Sequence, residues 1–357
     1  MRNLFWILIT FVLLPIFYIR IFCNKLFKNK ELRILVIETA KIGDLVCATP
    51  VFRAIKEKFP NSYLVAGIGK ESYGVVQNNP HIDKCIFLNI KDFKTTKLIK
   101  EISKEKFSLS INLGPTALNT ILGFWAGIPE RITSISKFTG KTAKLFSFLS
   151  NHRLEYKQHT SKLRHNLELL KYLGIRNFSE KKEVFIKEEE EQKAKRFLQK
   201  NNIKESDLTI GIATTAGNKI KEWELYKFKQ LADKLKKELN AKVIFIRQDY
   251  FKLNELAAFL KKLKLFISVD TGPLYIAHAV GTPVVDITGP CDINEQPPRD
   301  NISELVFKEL NCWPCSFVIP PARKCRRGDF ACIKKITVED VFRAIKKILK
   351  RLYGINL

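Results

Sequence analysis

Three glycine-containing loops carry the residues best suited to chemistry, and each follows a short apolar run. In Glu38-Thr39-Ala40-Lys41-Ile42-Gly43-Asp44, Gly43 permits a tight turn or a close backbone approach. Asp44 falls at or near the start of the next helix. A carboxylate there either steadies the helix N-terminus or is displayed to take a proton from an attacking hydroxyl. The helix end favours the ionised form and so weakens a base, unless burial beside a substrate offsets it. In Ala216-Gly217-Asn218-Lys219-Ile220-Lys221-Glu222-Trp223, Lys219 and Lys221 offer charge to a phosphate, beside N–H groups at a helix start. A plain basic surface loop is the alternative. The spacing is not that of a GxxxxGK[ST] loop, which disfavours a nucleoside triphosphatase. Trp223 reads as a packing residue. In Ser268-Val269-Asp270-Thr271-Gly272-Pro273, Thr271 and Gly272 expose backbone donors where a small-residue helix begins, a seat for a diphosphate. Asp270 beside that seat suits the hydroxyls of the sugar in a nucleotide sugar. His278 on the same helix reads as packed.

A fourth constellation is Cys312, Cys315, Cys325 and Cys332, spaced C-x2-C-x9-C-x6-C. Four thiolates could complete one tetrahedral zinc site. An iron–sulfur cluster and unligated thiols remain open. Any such metal would be a structural brace, because the cluster lies outside the three loops.

The elements that must position these loops are short apolar strands alternating with helical patterns. Arg33–Ile37, Tyr63–Ala66, Lys84–Leu88 and Phe107–Asn112 read as strands, with a helix over Leu45–Phe59 and another around His165–Tyr172. The same grammar restarts with strands at Leu208–Ala213, Lys242–Ile246, Leu265–Val269 and Pro283–Ile287. Helices fall at Leu225–Leu239, Leu253–Leu263 and Gly272–Val280. This alternation predicts α/β architecture with parallel sheets covered on both faces. Ligands of such sheets bind beyond the strand carboxyl ends, so two facing halves make a cleft. The expected domains are an N-terminal half over 31–178, a charged inter-domain region over 179–206 and a C-terminal half over 207–336. A closing amphipathic helix over 337–357 carries a capping box at Thr337 and Asp340.

Residues 1–30 read differently. Leu4 to Cys23 holds 20 residues with one charge, Arg20, just long enough to span a bilayer. Arg2 precedes the apolar run Leu4–Ile19, and Arg20, Lys25, Lys28, Lys30 and Arg33 follow it, which places the rest of the chain on the cytoplasmic side. The expectation is a single N-terminal anchor at the cytoplasmic face of the inner membrane. An interfacial helix is the alternative.

The chain has 357 residues, 46% of them hydrophobic, and 62 Lys+Arg against 36 Asp+Glu give a net charge of +26. Its length suits two domains. Such a surface attracts anions: an acidic membrane, a phosphorylated small molecule or nucleic acid. The basic residues are dispersed and no aromatic-basic recognition motif is present, which argues against nucleic acid.

Four segments together resemble the heptosyltransferase family, the ADP-heptose:lipopolysaccharide glycosyltransferases (glycosyltransferase family 9). They are IGDLVCATPVFRAIKEKFP, the Lys221-Glu222-Trp223 segment, DTGPLYIAHAVGTPVV and CWPC…C…CIKKITVEDV. The resemblance implies two facing Rossmann-like domains of GT-B type and inverting sugar transfer from a nucleotide diphosphate sugar with no required metal. It implies Asp44 as the base, Lys221 as the phosphate-binding lysine, Asp270 as the sugar-binding residue, and Thr271 and Gly272 as the diphosphate seat. The implied acceptor is the lipopolysaccharide inner core, a phosphorylated glycolipid, and a monomer is expected. The chain departs from the family where Tyr275 replaces a histidine and Glu224 a proline. The N-terminal hydrophobic helix is not typical either. By the same resemblance, a strand–helix portion that the family normally has, roughly 20–25 residues of a doubly wound domain, is missing between Ile246 and Leu253. Diphosphate recognition is then expected to survive with weak discrimination among nucleobases, or with Tyr250 or Phe251 recruited as a stacking substitute. Transfer of another sugar, such as a hexosamine or deoxyhexose, and a non-catalytic glycan-binding scaffold are the competing functions.

Overall fold

The computed structural model describes residues 8–26, 31–88, 95–247 and 250–354. After helix α1 (Leu14–Leu26) the chain builds a parallel sheet. Its strands are β1 (Arg33–Glu38), β2 (Tyr63–Ile68), β3 (Lys84–Phe87), β4 (Leu109–Asn112), β5 (Glu130–Ile135) and β6 (His152–Glu155). The helices between and after them are α2 (Ile42–Lys58), α3 (Thr95–Lys104), α4 (Ala117–Trp125), α5 (Lys141–Phe146) and α6 (Lys162–Glu168). The strand order is β3-β2-β1-β4-β5-β6, the doubly wound order whose switch point lies between β1 and β4. Strand β1 is buried along nearly its whole length, which is why it reads as an unbroken apolar run.

Helix α7 (Glu188–Lys200) leads to the second sheet. Its strands are β7 (Thr209–Ala213), β8 (Lys242–Phe245), β9 (Leu265–Val269), β10 (Val284–Ile287) and β11 (Ser303–Val306). Its helices are α8 (Leu225–Leu239), α9 (Leu253–Lys261), α10 (Gly272–Ala279), α11 (Ala331–Lys334) and α12 (Val338–Tyr353). The order is β11-β10-β9-β7-β8, with every pair parallel. This is the order of the first sheet without its outermost strand. The chain passes from β8 to α9 directly, where the shortened segment between Ile246 and Leu253 was noted.

The two halves share a core. Leu45, Val46 and Val51 of α2 belong to one apolar cluster with Leu274, Tyr275 and Ile276 of α10. Helix α12 keeps the predicted capping box, with the Asp340 N–H donating to Thr337 Oγ1 at 3.1 Å. Its stripe of Val341, Phe342, Ile345, Ile348 and Leu349 packs into the core of the second sheet.

The expected membrane anchor is overturned. Among the described residues no helix is long and apolar enough to cross a membrane, and the first four residues of the expected span lie outside the described residues. Helix α1 has 13 residues, roughly 20 Å of rise against about 30 Å of hydrocarbon. It lies instead along α4. Phe17 stacks on Trp125 at 5.6 Å, Arg20 donates to the Trp125 carbonyl at 3.3 Å and Asn24 to the Gly127 carbonyl at 2.8 Å. The polar residues of α1 fasten it to the protein, and the inner-membrane localisation inferred from a spanning anchor falls with it.

Candidate active site

Both sheets present their switch points to one cleft. On the N-terminal side the β1–α2 loop carries Asp44. On the C-terminal side the loop after β7 carries Lys219 and Lys221, and the β9–α10 turn carries Asp270, Thr271 and Gly272. The sheets are brought together by α2 against α10. A Cβ on Gly43 would stand 2.8 Å from the Tyr275 ring, and one on Gly272 would stand 2.9 Å from the Ile42 Cβ. Both distances are below ordinary contact, so each glycine is the condition for the other domain's approach.

Asp44 is the third residue of α2, half-buried. Its Oδ2 accepts the Lys41 N–H at 3.1 Å, as a helix-capping carboxylate does. Its Oδ1 accepts from Gln296 Nε2 of the C-terminal half at 3.1 Å. The capping reading therefore describes Oδ2, while Oδ1 faces the C-terminal half.

Lys221 closes a short turn, and its Nζ meets Asp270 Oδ2 at 2.5 Å. Tyr275 donates its phenol to Asp270 Oδ1 at 2.5 Å. Burial works against both charges, but the lysine and the phenol together hold Asp270 below the usual carboxylate range. In the same way Asp270 raises Lys221 despite burial. The pair is ionised at neutral pH. Asp286, one strand over, is fully buried and neither of its oxygens has a partner. Burial, then the charge of Asp270, push it well above the usual range.

Thr271 is the N-cap of α10 and makes no side-chain capping bond. Lys219 is exposed. Trp223 is buried, donating Nε1 to the Ile336 carbonyl at 2.9 Å.

Sequence reasoning missed several participants. Burial and the charges of Lys221 and Arg323 push the Lys41 ammonium down, so three cations from both halves converge on the cleft. Glu38, at the end of β1, is 2% exposed. Burial, then the Asp44 charge, push it up to about 7. The buried Lys162 feels both carboxylates and donates to the Leu113 carbonyl and Asn166 Oδ1, each at 2.7 Å. These residues come from distant segments. Only the position of Glu38 just before the first loop hinted at its role.

Tyr250 and Phe251 sit among aromatic side chains of α7 and α9. Phe251 stacks on Phe259 at 4.8 Å, and Tyr250 lies 5.6 Å from Phe197 of α7. The proposed zinc site is overturned. Among the described residues no group of three or more His, Cys, Asp or Glu could hold a metal ion, and Cys312, Cys315, Cys325 and Cys332 are all free thiols. Backbone N–H groups of Phe330, Arg327 and Gly328 hold the Cys325 thiol below its usual range despite burial, while Cys332 is buried on α11 and pushed up to about 11 by burial. Spacing along the chain thus did not become a ligand cage.

Two parallel α/β sheets whose switch-point loops face across one cleft define the GT-B class of architecture. A sequence model of glycosyltransferase family 9 (heptosyltransferase) matches residues 95–249 and 250–319. The chain belongs to this family and is a glycosyltransferase. It is 24% identical over 339 residues to lipopolysaccharide heptosyltransferase 3 of Escherichia coli K12, covering 86% of this chain and 95% of the relative. The crystal structure of a family 9 glycosyltransferase from Veillonella parvula superposes with a TM-score of 0.73 at 20% identity, covering 89% and 97% of the two chains. The ADP-heptose lipopolysaccharide heptosyltransferase II of Escherichia coli superposes at 0.69 with 14% identity, covering 89% and 98%.

Proposed function

We propose that this glycosyltransferase moves a heptose from ADP-heptose to a phosphorylated glycolipid acceptor, the lipopolysaccharide inner core, by a single displacement with inversion. The observation that carries this reading is the convergence of Asp44 from one sheet with the Lys221–Asp270 pair and the α10 N-terminus from the other. Asp44 takes the proton of an acceptor hydroxyl. That oxygen forms its bond to the anomeric carbon as the bond from that carbon to the diphosphate breaks, and the diphosphate leaves with the electron pair. Lys221, Lys219 and the N–H groups of Thr271 and Gly272 meet the leaving charge, while Asp270 holds sugar hydroxyls. The heptosyltransferase relatives supply the sugar and the glycolipid.

The acceptor side carries features suited to an anionic amphiphile. A cavity of about 160 Å³ is lined by Ser134, Ser136, Thr139, Lys144, Lys137 and Glu155, the last two paired at 3.6 Å. Phe138, Leu145 and Phe148 are exposed beside it, and the outward residues Phe11, Ile16 and Ile19 of the N-terminal segment are exposed as well. Asp44→Asn is expected to lower transfer by about 10²–10⁴-fold with donor binding retained. Transfer near the wild-type rate in a folded Asp44→Asn protein would overturn the reading. A different nucleotide sugar is the second reading, favoured by the missing outer strand beside β8 and by Tyr275 on Asp270.

A further inference from the structure

The contacts of Asp44 do not end within its own half of the molecule. Gln296, which donates to Asp44 Oδ1 at 3.1 Å, lies 252 residues further along the chain, in the long excursion between β10 and β11. That excursion is fastened to the N-terminal half next to Gln296. Asp292 pairs with His159 at 2.5 Å. The Glu295 carbonyl accepts the Lys162 N–H at 2.8 Å, and the Glu295 side chain accepts the His159 N–H at 3.2 Å.

We infer that Gln296 is a positioning residue for the Asp44 carboxylate, so that the base is aimed only while this arm of the C-terminal half is seated on the N-terminal half. The inference rests on the reading of Asp44 as the base. A carboxylate offers about four acceptor positions. The Lys41 N–H takes one on Oδ2 and the Gln296 amide takes one on Oδ1. Those two bonds fix the rotation of a terminal torsion that is otherwise broad and leave lone pairs on each oxygen for an acceptor hydroxyl. The charged and titratable groups facing Asp44 are Glu38 from β1, Lys41 and Cys47 from its own loop and helix, Tyr156 beyond β6, and Lys162 from α6. All of them remain when Gln296 is changed, so a shift in the acid limb of the rate profile reports the lost donor.

The test is steady-state transfer from ADP-heptose to deacylated lipopolysaccharide inner core, with the full-length protein, across pH. Gln296→Met keeps the length and removes the donor. It should lower kcat by about 10–100-fold, the scale of a misaimed catalytic group, leave donor KM within about twofold, and move the acid limb upward. Gln296→Glu should move that limb further, because it sets a second carboxylate against the first. His159→Gly unfastens the arm at a position whose φ of 62° suits glycine. It should reproduce the kcat loss, and it serves as the reading if Gln296→Met fails to fold. Wild-type kcat and pH profile in Gln296→Met, with Asp44→Asn inactive, would overturn this inference alone. Retained transfer in Asp44→Asn would overturn both it and the proposed function.

Discussion

Lys221 and Asp270 meet at 2.5 Å with their side chains 20% and 6% exposed, and a buried pair is unforgiving of losing one member. Lys221→Ala leaves Asp270 with Tyr275 as its only strong partner. It should cost about 3–5 kcal/mol of stability and weaken donor binding. Lys219→Ala, at an exposed position, should stay within about 0.5 kcal/mol. Urea titrations of the two variants check the contrast, and equal losses would contradict the buried-pair account. Glu38 makes a pH prediction with a definite sign. Its folded value near 7 stands above its ordinary 4.5, so folding favours its protonated form. The stability it contributes is complete below about pH 4.5 and is lost as pH rises through 7. Glu38→Gln should remove that loss, making the variant gain on wild type by up to about 3 kcal/mol between pH 5 and 8. Denaturant midpoints at the two pH values measure it.

At the scale of elements, the α2–α10 crossing decides whether the loops meet at all. A Cβ at position 272 would fall 2.9 Å from both the Cβ and the Cγ2 of Ile42, atoms of a stiff β-branched side chain on the opposing helix. Gly272→Ala should therefore destabilise by about 1–3 kcal/mol and lower transfer by parting the two halves of the site. Adding Ile42→Ala should recover part of both losses, since contacting residues are not additive. A double-mutant cycle in thermal stability checks this, and simple additivity would mean that the crossing is not the strained contact. Several elements could be read directly from the chain. β1, β7, β9 and β10 are buried on both faces and so are apolar runs. β5, β6 and β11 escaped notice because they mix charge with apolar residues. Arg131 in β5 is buried but satisfied by the Leu149 and Pro129 carbonyls. β6 and β11 are edge strands, and Glu304 in β11 is held by Lys347 and Arg351 of α12.

At the scale of the molecule, the two sheets are unequal. The second ends at β8, on the flank where a further strand–helix portion would wall a nucleotide pocket. A binding panel of ADP-, GDP-, UDP- and CDP-sugars should then show retained diphosphate recognition with weak discrimination among bases. Tyr250→Ala should reduce affinity for all of them together if its half-exposed ring supplies a stacking face, worth about 1–3 kcal/mol by analogy with single-stranded bases. A strong preference for ADP unchanged by Tyr250→Ala would show that the base is read elsewhere.

What the sequence by itself determined is local. Apolar runs bury on both faces of a sheet, a glycine and a charged residue after each run mark the loops at the strand ends, and these features already name Asp44, Lys221, Asp270, Thr271 and Gly272. Spacing also suggested a zinc cage and a bilayer span, and both failed for one reason. Ligand geometry and helix length depend on where the chain turns, and 13 residues of α1 lie along α4 rather than continuing as a span. Only the tertiary structure decided that Gln296 reaches Asp44, that Tyr275 and Lys221 share Asp270, and that Glu38 and Lys162 sit behind Asp44. These partners are separated by up to 252 residues, and nothing in a one-dimensional pattern encodes which distant side chain will fill the space beside a carboxylate.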